Sequence, residues 1–472
     1  MDEPTPVIWW VRRDLRLTDN PALHAACATG RPVIPVYVLD PLDEQMGAAP
    51  KFRLGLGMEA LSRALQNRGS DLVLRRGDAH TVVSQLAQET GAKEVFAARA
   101  YHPDEIARDL QVQDALDHIG VAPRWHAGRL LFDPYTVKTA AGGFFKVFTP
   151  FWKAVRPLGI AACLSDPSRI PAPRHWPISG RLEDWNLASS MNRGAQVVLR
   201  YCQVGEAAAL DRLHQFTDEQ IASYGNDRDL PGQDATSRLS QNLTWGEISP
   251  RQMWHSGQVA MAQGRPGAET FLKQLVWREF AYHLMVHTPH ILTENWRAGW
   301  ERFPWLGEEA ESARIWQRGQ TGVDFVDAAM RELYTTGYMH NRLRMITASY
   351  LCKHLMVHWK IGMKWFEDCL VDWDPACNAM GWQWVAGSGP DAAPFFRVFN
   401  PERQRDRFDP KQTYLQRWIA EGQTHPPQTA TDFFDAIPYQ WRMTPADLRP
   451  DPVISLAQGR ARALDAYKSL SK

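Results

Sequence analysis

The chain has 472 residues, with 53 Lys+Arg balancing 53 Asp+Glu, 44% hydrophobic residues and 22% charged ones. That length is too great for one core and sets an expectation of two or three domains. The zero net charge excludes a global positive field, so a nucleic-acid contact has to come from a local basic patch, and no apolar run reaches the roughly 18 residues of a membrane span.

Strand and helix signals alternate through the first third. Short apolar runs over 7–11 and 33–39 read as buried strands. Between them Thr18-Asp19-Asn20-Pro21 caps a helix through Ala28, with Pro at its start and Gly30 beyond its end. A helix over 53–68 ends at Gly69, and 71–74 is a third strand. A helix over 79–89, a strand over 94–98 and a helix over 104–119 follow. Strands separated by single helices predict an α/β domain, a doubly wound parallel sheet over 1–133. No GxGxxG follows the first strand, so the usual dinucleotide fingerprint is missing. Residues 134–205 read as an irregular connector, with four prolines between Ser165 and Pro177. From 206 to 472 the signals are helical: 271–286, 323–333 closed near Gly337, 341–355, and a short helix over 454–470. The predicted fold class is therefore α/β followed by all-α.

The chain carries 20 Trp, and Trp359, Trp365, Trp373, Trp382 and Trp384 crowd around Asp372-Trp373-Asp374-Pro375-Ala376-Cys377-Asn378. Such a cluster is either a large aromatic core or a site where rings stack on flat ligands or pass electrons. Asp372 and Asp374 could be an acid and base pair, metal ligands or partners of Arg344; without Glu or His at ligand spacing they make a poor metal site, and no metal is expected. Asn378 offers an amide that could hydrogen-bond a cofactor ring nitrogen, or simply cap a turn. Thr236-Ser237-Arg238-Leu239-Ser240 combines hydroxyls and a guanidinium suited to phosphate, and equally suited to a helix cap. Gln274 and Trp277 share a helix face, and Asn341, Arg344, Met345 and Ala348 share another. Arg397, Arg403, Arg405 and Arg407 form a local basic cluster. The six cysteines show no CxxC or metal spacing, which fits a reduced, cytoplasmic protein.

Taken in order, several segments resemble the photolyase/cryptochrome family nearly end to end. Trp9-Trp10-Val11-Arg12-Arg13-Asp14-Leu15-Arg16-Leu17-Thr18-Asp19-Asn20 resembles its opening strand and loop, and Lys146-Val147-Phe148-Thr149-Pro150-Phe151 its mid-chain motif. Thr236–Ser240 is similar to its flavin-phosphate segment, Trp277-Arg278-Glu279-Phe280 to its WREF helix, and Asp372–Trp384 to its flavin-facing stretch ending in GWQW. Gly337-Tyr338-Met339-His340-Asn341-Arg342-Leu343-Arg344-Met345 resembles GWMHNRLRM, with Tyr338 where many members carry Trp.

The resemblance implies FAD in the helical domain, bound by Tyr224, Thr236, Ser237, Arg238, Leu239, Ser240, Arg344, Asp372 and Asp374, with Asn378 facing the reactive central ring. It implies an electron chain through Trp382, Trp359 and Trp305, with Trp300 close to the last. Trp277 and Trp384 would flank a flipped pyrimidine dimer, beside Asn341, Arg342 and Met345, and Arg228 and Gln404 would contact DNA. Trp365 and Trp373 are left to core packing. Gln274 stands where cyclobutane-dimer photolyases usually carry Glu; it can donate through its NH₂ but cannot transfer a carboxylic proton. The expected function is repair of cyclobutane dimers in UV-damaged DNA by a monomeric enzyme, with (6-4) repair or a cryptochrome-like photoreceptor as alternatives. Asp104 and Glu105 fall near positions resembling an antenna site for methenyltetrahydrofolate, with 8-hydroxy-5-deazaflavin or a second flavin as alternatives.

Overall fold

The computed structural model describes residues 4–391 and 396–470. Five parallel strands, β1 (Val7–Val11), β2 (Val33–Leu39), β3 (Val73–Arg76), β4 (Glu94–Ala98) and β5 (Ala122–His126), form one sheet in the order β3-β2-β1-β4-β5. Every residue of β1 and β2 is buried, because helices cover both faces of a parallel sheet. Ile8 at the centre of β1 is in register with Ile34 on one side and Val95 on the other.

Three differences from expectation have local causes. Strand β3 starts two residues later than 71–74, since the Asp71 carboxylate accepts from Leu72 N at 2.8 Å and turns the chain there. The long helix starts at Ala48 rather than 53. Gly47 precedes it because a Cβ there would lie 2.3 Å from the carbonyl of Glu367 in the helical domain. Strand β5 was not expected at all. Its sequence Ala-Pro-Arg-Trp-His has no apolar run, and as an edge strand pairing only with β4 it is partly exposed.

The connector is not irregular throughout. Phe148–Val155 and Gly194–Leu199 are helical, the first burying Phe148, Phe151, Trp152 and Val155. Helices this short are marginal alone and take their stability from packing, here against Phe280 and Trp277. The helical domain contains Ala268–His287, Asp324–Thr336, Asn341–Ser349, Trp359–Cys369, Pro375–Ala386 and the terminal Leu456–Leu470. Gly337, at φ +68°, ends the second of these, and a Cβ there would meet Val371 at 2.5 Å. The helix expected over 341–355 stops at Ser349 and continues as a π-turn, Tyr350–His354.

The opening loop joins the two halves. Leu15 N donates to Trp245 O at 3.1 Å, Arg16 Nη1 to Gly246 O at 2.9 Å, and Leu17 N and Thr18 N to the Glu206 carboxylate, both at 2.9 Å. Beneath them Arg53 and Glu247 form a bidentate pair at 2.8 and 2.6 Å, both side chains fully buried, with Gln241 on Arg53 Nε. This contact ties the sheet domain to the helical domain.

Candidate functional site

Asp372, Asp374 and Asn378 converge with Asn341, Arg344, Met345, Ala348, Gly381 and Trp382 around a cavity of about 160 Å³. Arg344 Nη2 donates to Asp372 Oδ2 at 2.7 Å and Arg344 Nε to Met339 O at 2.7 Å, so Asp372 is an Arg partner. Burial works against the Arg344 charge, but Asp372 outweighs it and raises the guanidinium above its ordinary value. Asp374 caps the Pro375–Ala386 helix, accepting from Cys377 N at 2.9 Å through one oxygen and from Tyr282 OH at 2.8 Å through the other. Asn378 Nδ2 donates to Met363 O at 3.0 Å, which fixes the amide with its oxygen available to the cavity.

Asp372 Oδ1 and Trp382 Nε1 are buried with no partner in the protein. A buried polar atom left unmade costs on the order of 1–3 kcal/mol, so a polar ligand edge fits this lining. An apolar wall of Met345, Ala348, Phe366, Leu370 and Val385 with a few fixed polar groups suits a flat heteroaromatic ring. Among the described residues no group of His, Cys, Asp and Glu could hold a metal ion.

The phosphate-type segment lies to one side. Arg212, bidentate with Asp234, donates to Ser237 O at 2.9 Å and Thr236 O at 2.5 Å and so shapes the turn. Arg238 takes a left-handed φ of +52°, and Leu239 precedes the short Ser240–Trp245 helix. Tyr338, the departure from the family motif, lies between the two regions: Arg238 sits over its ring at 5.9 Å and Arg344 at 5.5 Å. Tyr224 is nearby in the core, its phenol pushed up to about 12 by burial despite Arg228.

On the Ala268–His287 helix Gln274 and Trp277 are both partly exposed. The Trp277 ring lies flat against Phe148, centroids 3.7 Å apart and planes at 6°. Trp384 is held by its Nε1, which donates to Asp391 O at 2.9 Å. Met345 faces the cavity, whereas Arg342 turns to Asp229 at 2.6 Å and stacks over Phe408 at 4.5 Å. Gln404 sits on Pro401–Phe408, where Arg403 and Arg407 are exposed and Arg405 pairs with Asp406.

Asp104 and Glu105 line a second, larger cleft of about 540 Å³ between the two domains, with Arg13, Met46, His102, Arg108 and Glu367. Burial opposes ionisation of Glu105, but Arg129, Arg13 and Arg108 outweigh it and hold the carboxyl well below its ordinary range. Asp43, buried beside Asp40, is pushed up to about 7. Trp373 and Asn378 border both cavities, so the cleft and the aromatic site share a wall. Trp373 packs against the core as expected and also presents a cleft face, where Arg13 covers its ring at 5.4 Å. Trp365 stacks on Tyr334 at 6.1 Å, as a packing residue does.

Two tryptophans of the expected chain are seated by residues that the sequence did not single out. Gly362 lies one turn after Trp359, and a Cβ there would come within 2.1 Å of the Trp382 ring, so only Gly leaves room for that ring. Trp359 Nε1 donates to Asn295 Oδ1 at 2.8 Å. Trp305, partly exposed, stacks on buried Trp300 at 5.8 Å. The W-x-x-G spacing was legible; the ring it makes room for was not. Likewise Glu279 and Arg278 of the WREF segment hold the end of the sheet-domain segment, Glu279 accepting from Leu131 N at 2.7 Å and Arg278 donating to Arg129 O at 3.0 Å.

Family models described as "DNA photolyase" and "FAD binding domain of DNA photolyase" match residues 7–173 and 271–469. Over 99% of its length the chain is 40% identical to the deoxyribodipyrimidine photo-lyase of Agrobacterium fabrum, covering 98% of that protein, and it is 33% identical to that of Escherichia coli with 98% of both covered. A bacterial class III photolyase from Agrobacterium tumefaciens superposes with a TM-score of 0.91 at 39% identity, covering 100% of this chain and 98% of that one. A Synechocystis cryptochrome gives 0.85 at 28% identity, covering 99% and 100%. An archaeal photolyase from Sulfolobus tokodaii with two FAD molecules gives 0.81 at 26% identity, covering 98% and 100%. With family models matching both parts and a relative 40% identical over 99% of its length, the chain belongs to the DNA photolyase family.

Proposed function

We propose that this protein is a deoxyribodipyrimidine photo-lyase that repairs cyclobutane pyrimidine dimers in UV-damaged DNA with light and FAD. The observation that carries the reading is the cavity in which Asn378, the Arg344–Asp372 pair and Trp382 meet, within a chain 40% identical to a photo-lyase over 99% of its length. Residues 1–133 are the antenna domain, 134–205 the connector and 206–472 the flavin domain. Tyr224, Thr236–Ser240, Arg344, Asp372, Asp374 and Asn378 hold the cofactor. The chemistry that bound, reduced FAD supplies is the light-driven loan of one electron, which the dimer returns after two C–C bonds open.

The chain's own residues do the rest. Photolyases take the damaged bases out of the helix, and a dimer, already poorly stacked, costs less to extrude than normal bases. The faces of Trp277 and Trp384 offset lost stacking, at roughly 1–3 kcal/mol per base. Gln274 donates its NH₂ hydrogens to a dimer carbonyl, while Asn341, Arg342 and Met345 border the bases and Arg228 and Gln404 hold the strand. Trp382, Trp359 and Trp305 relay electrons that reduce oxidised cofactor. The interdomain cleft takes an antenna. Its Arg and carboxylate lining beside an aromatic wall favours methenyltetrahydrofolate, which pairs a cationic bridge with a glutamate tail, over a second flavin or 8-hydroxy-5-deazaflavin.

Purified protein should show flavin absorption and, once reduced, split thymine dimers in an oligonucleotide under blue light, with binding to dimer-containing DNA that weakens as salt rises. A flavin-loaded protein that splits no dimers and does not prefer damaged DNA would instead be a photoreceptor, the reading the cryptochrome neighbour favours.

A further inference from the structure

We propose that His358 is a positioning residue of the photoreduction chain, its imidazole bridging Trp359 and Trp305 and carrying the electronic contact between them. The inference rests on the assignment of Trp382, Trp359 and Trp305 as the electron chain. Among the described residues no direct ring contact joins Trp305 to Trp359; the contact runs through His358, whose ring centroid lies 4.7 Å from Trp305 and 5.5 Å from Trp359.

The backbone is arranged to keep His358 between the two rings, which it meets at tilts of 55° and 39°. Leu306 and Val357 form a parallel bridge, with Leu306 N donating to Met356 O at 2.6 Å and His358 N to Leu306 O at 3.0 Å. These bonds hold the residue after Trp305 against the residue before His358. Met356 adopts φ +58° to make the turn, a left-handed conformation that a non-glycine residue takes only at a cost. His358 also caps the Trp359–Cys369 helix, its Nδ1 accepting from Lys360 N at 3.1 Å. Asn, Asp or Ser is the usual residue for that duty, and none of them brings a ring. Burial, with Lys360 adding to it, pushes the imidazole down to about 4, so the bridge is neutral and places no positive charge beside a tryptophan radical cation.

The step is a one-electron exchange. Trp305 gives an electron to oxidised Trp359; Trp359 is restored and Trp305 becomes the radical cation, with no bond broken. The oxidant upstream is light-excited oxidised flavin acting through Trp382, and a soluble thiol re-reduces Trp305. His358 neither gains nor loses an electron.

Capping and bridging separate cleanly by substitution. His358→Asn keeps a cap acceptor and removes the ring; His358→Phe keeps a ring and removes the acceptor. The measurement is transient absorption of the flavin-loaded full chain, reading the yield of long-lived tryptophan radical, with Tm recorded for each variant. The expected result is a wild-type Tm and a several-fold lower radical yield for His358→Asn, and a lower Tm with near wild-type yield for His358→Phe. Repair by chemically pre-reduced protein should be unchanged in both. A wild-type radical yield in His358→Asn overturns the bridge, and that variant alone decides the matter should His358→Phe not fold. Trp382→Phe is the control: a tryptophan radical that persists in it overturns the electron-chain reading itself.

Discussion

At the scale of single residues, Gln274 and Gly362 make the sharpest predictions. An amide at 274 donates without first being protonated, so the proposed contact to a dimer survives without carboxylic-acid chemistry. Gln274→Glu should therefore leave repair per absorbed photon unchanged or raise it, measured on a dimer-containing oligonucleotide with reduced protein; a large fall would show that a carboxyl is unwelcome there. Gly362 was silent in the sequence, since a Gly inside a helix reads only as a cost. Its meaning is a ring lying where a Cβ would be, 2.1 Å away. Gly362→Ala should displace Trp382 and slow flavin photoreduction at least tenfold, a loss of about 1.4 kcal/mol or more in the barrier sense, while repair by pre-reduced protein changes little. Photoreduction at the wild-type rate in that variant would remove Trp382 from the chain.

Among the elements, the start of the Pro375–Ala386 helix combines stability with the site. Asp374 spends one oxygen on the helix cap and the other on the buried Tyr282 hydroxyl. Asp374→Ala should cost about 1 kcal/mol for the cap and a further 1–3 kcal/mol or so for the orphaned hydroxyl, seen as a lower Tm. Asp374→Asn keeps one acceptor for the cap and presents its NH₂ as a donor to the Tyr282 oxygen, so it should lower Tm less than Asp374→Ala; flavin content then reports the carboxylate's part in cofactor binding. The helices were readable from apolar spacing and capping residues, as Asn20-Pro21 and Gly337 illustrate. Strand β5 and the Phe148–Val155 helix were not, because neither has a local pattern strong enough to stand without its neighbour.

At the scale of the whole molecule, the buried Arg53–Glu247 pair ties the sheet domain to the helices. Arg53→Ala leaves Glu247 charged and unpaired in the interior and should destabilise by about 3–5 kcal/mol, read as a fall in Tm together with loss of antenna absorption from the cleft. Acid should act more broadly. Burial pushes His283, His340 and His354 down to about 4 from 6.5. Their folded values lie below the unfolded one, so between pH 6.5 and 4 the unfolded chain binds protons that the native state refuses. The stability these histidines contribute should thus be full above pH 6.5 and be lost as the pH drops toward 4, while the raised Asp43 carboxyl acts in the opposite sense; Tm should be lower at pH 5 than at pH 7, the three histidines outweighing it. A Tm flat across that interval would mean that these histidines are not held neutral.

The sequence by itself determined the alternation of β1 to β4 with helices, the two-part architecture, the family and the polar residues lining the aromatic cavity. Those rest on local chemistry: apolar runs, caps, and ordered motifs such as the stretch from Gly337 to Met345. Only the tertiary structure decided what each aromatic residue touches. Trp373 gained a cleft face beside its core contacts, Tyr338 came to lie between Arg238 and Arg344, and His358 entered the gap between two tryptophans. Contacts between residues tens to hundreds of positions apart depend on how helices cross and domains dock, and no periodicity along the chain encodes them.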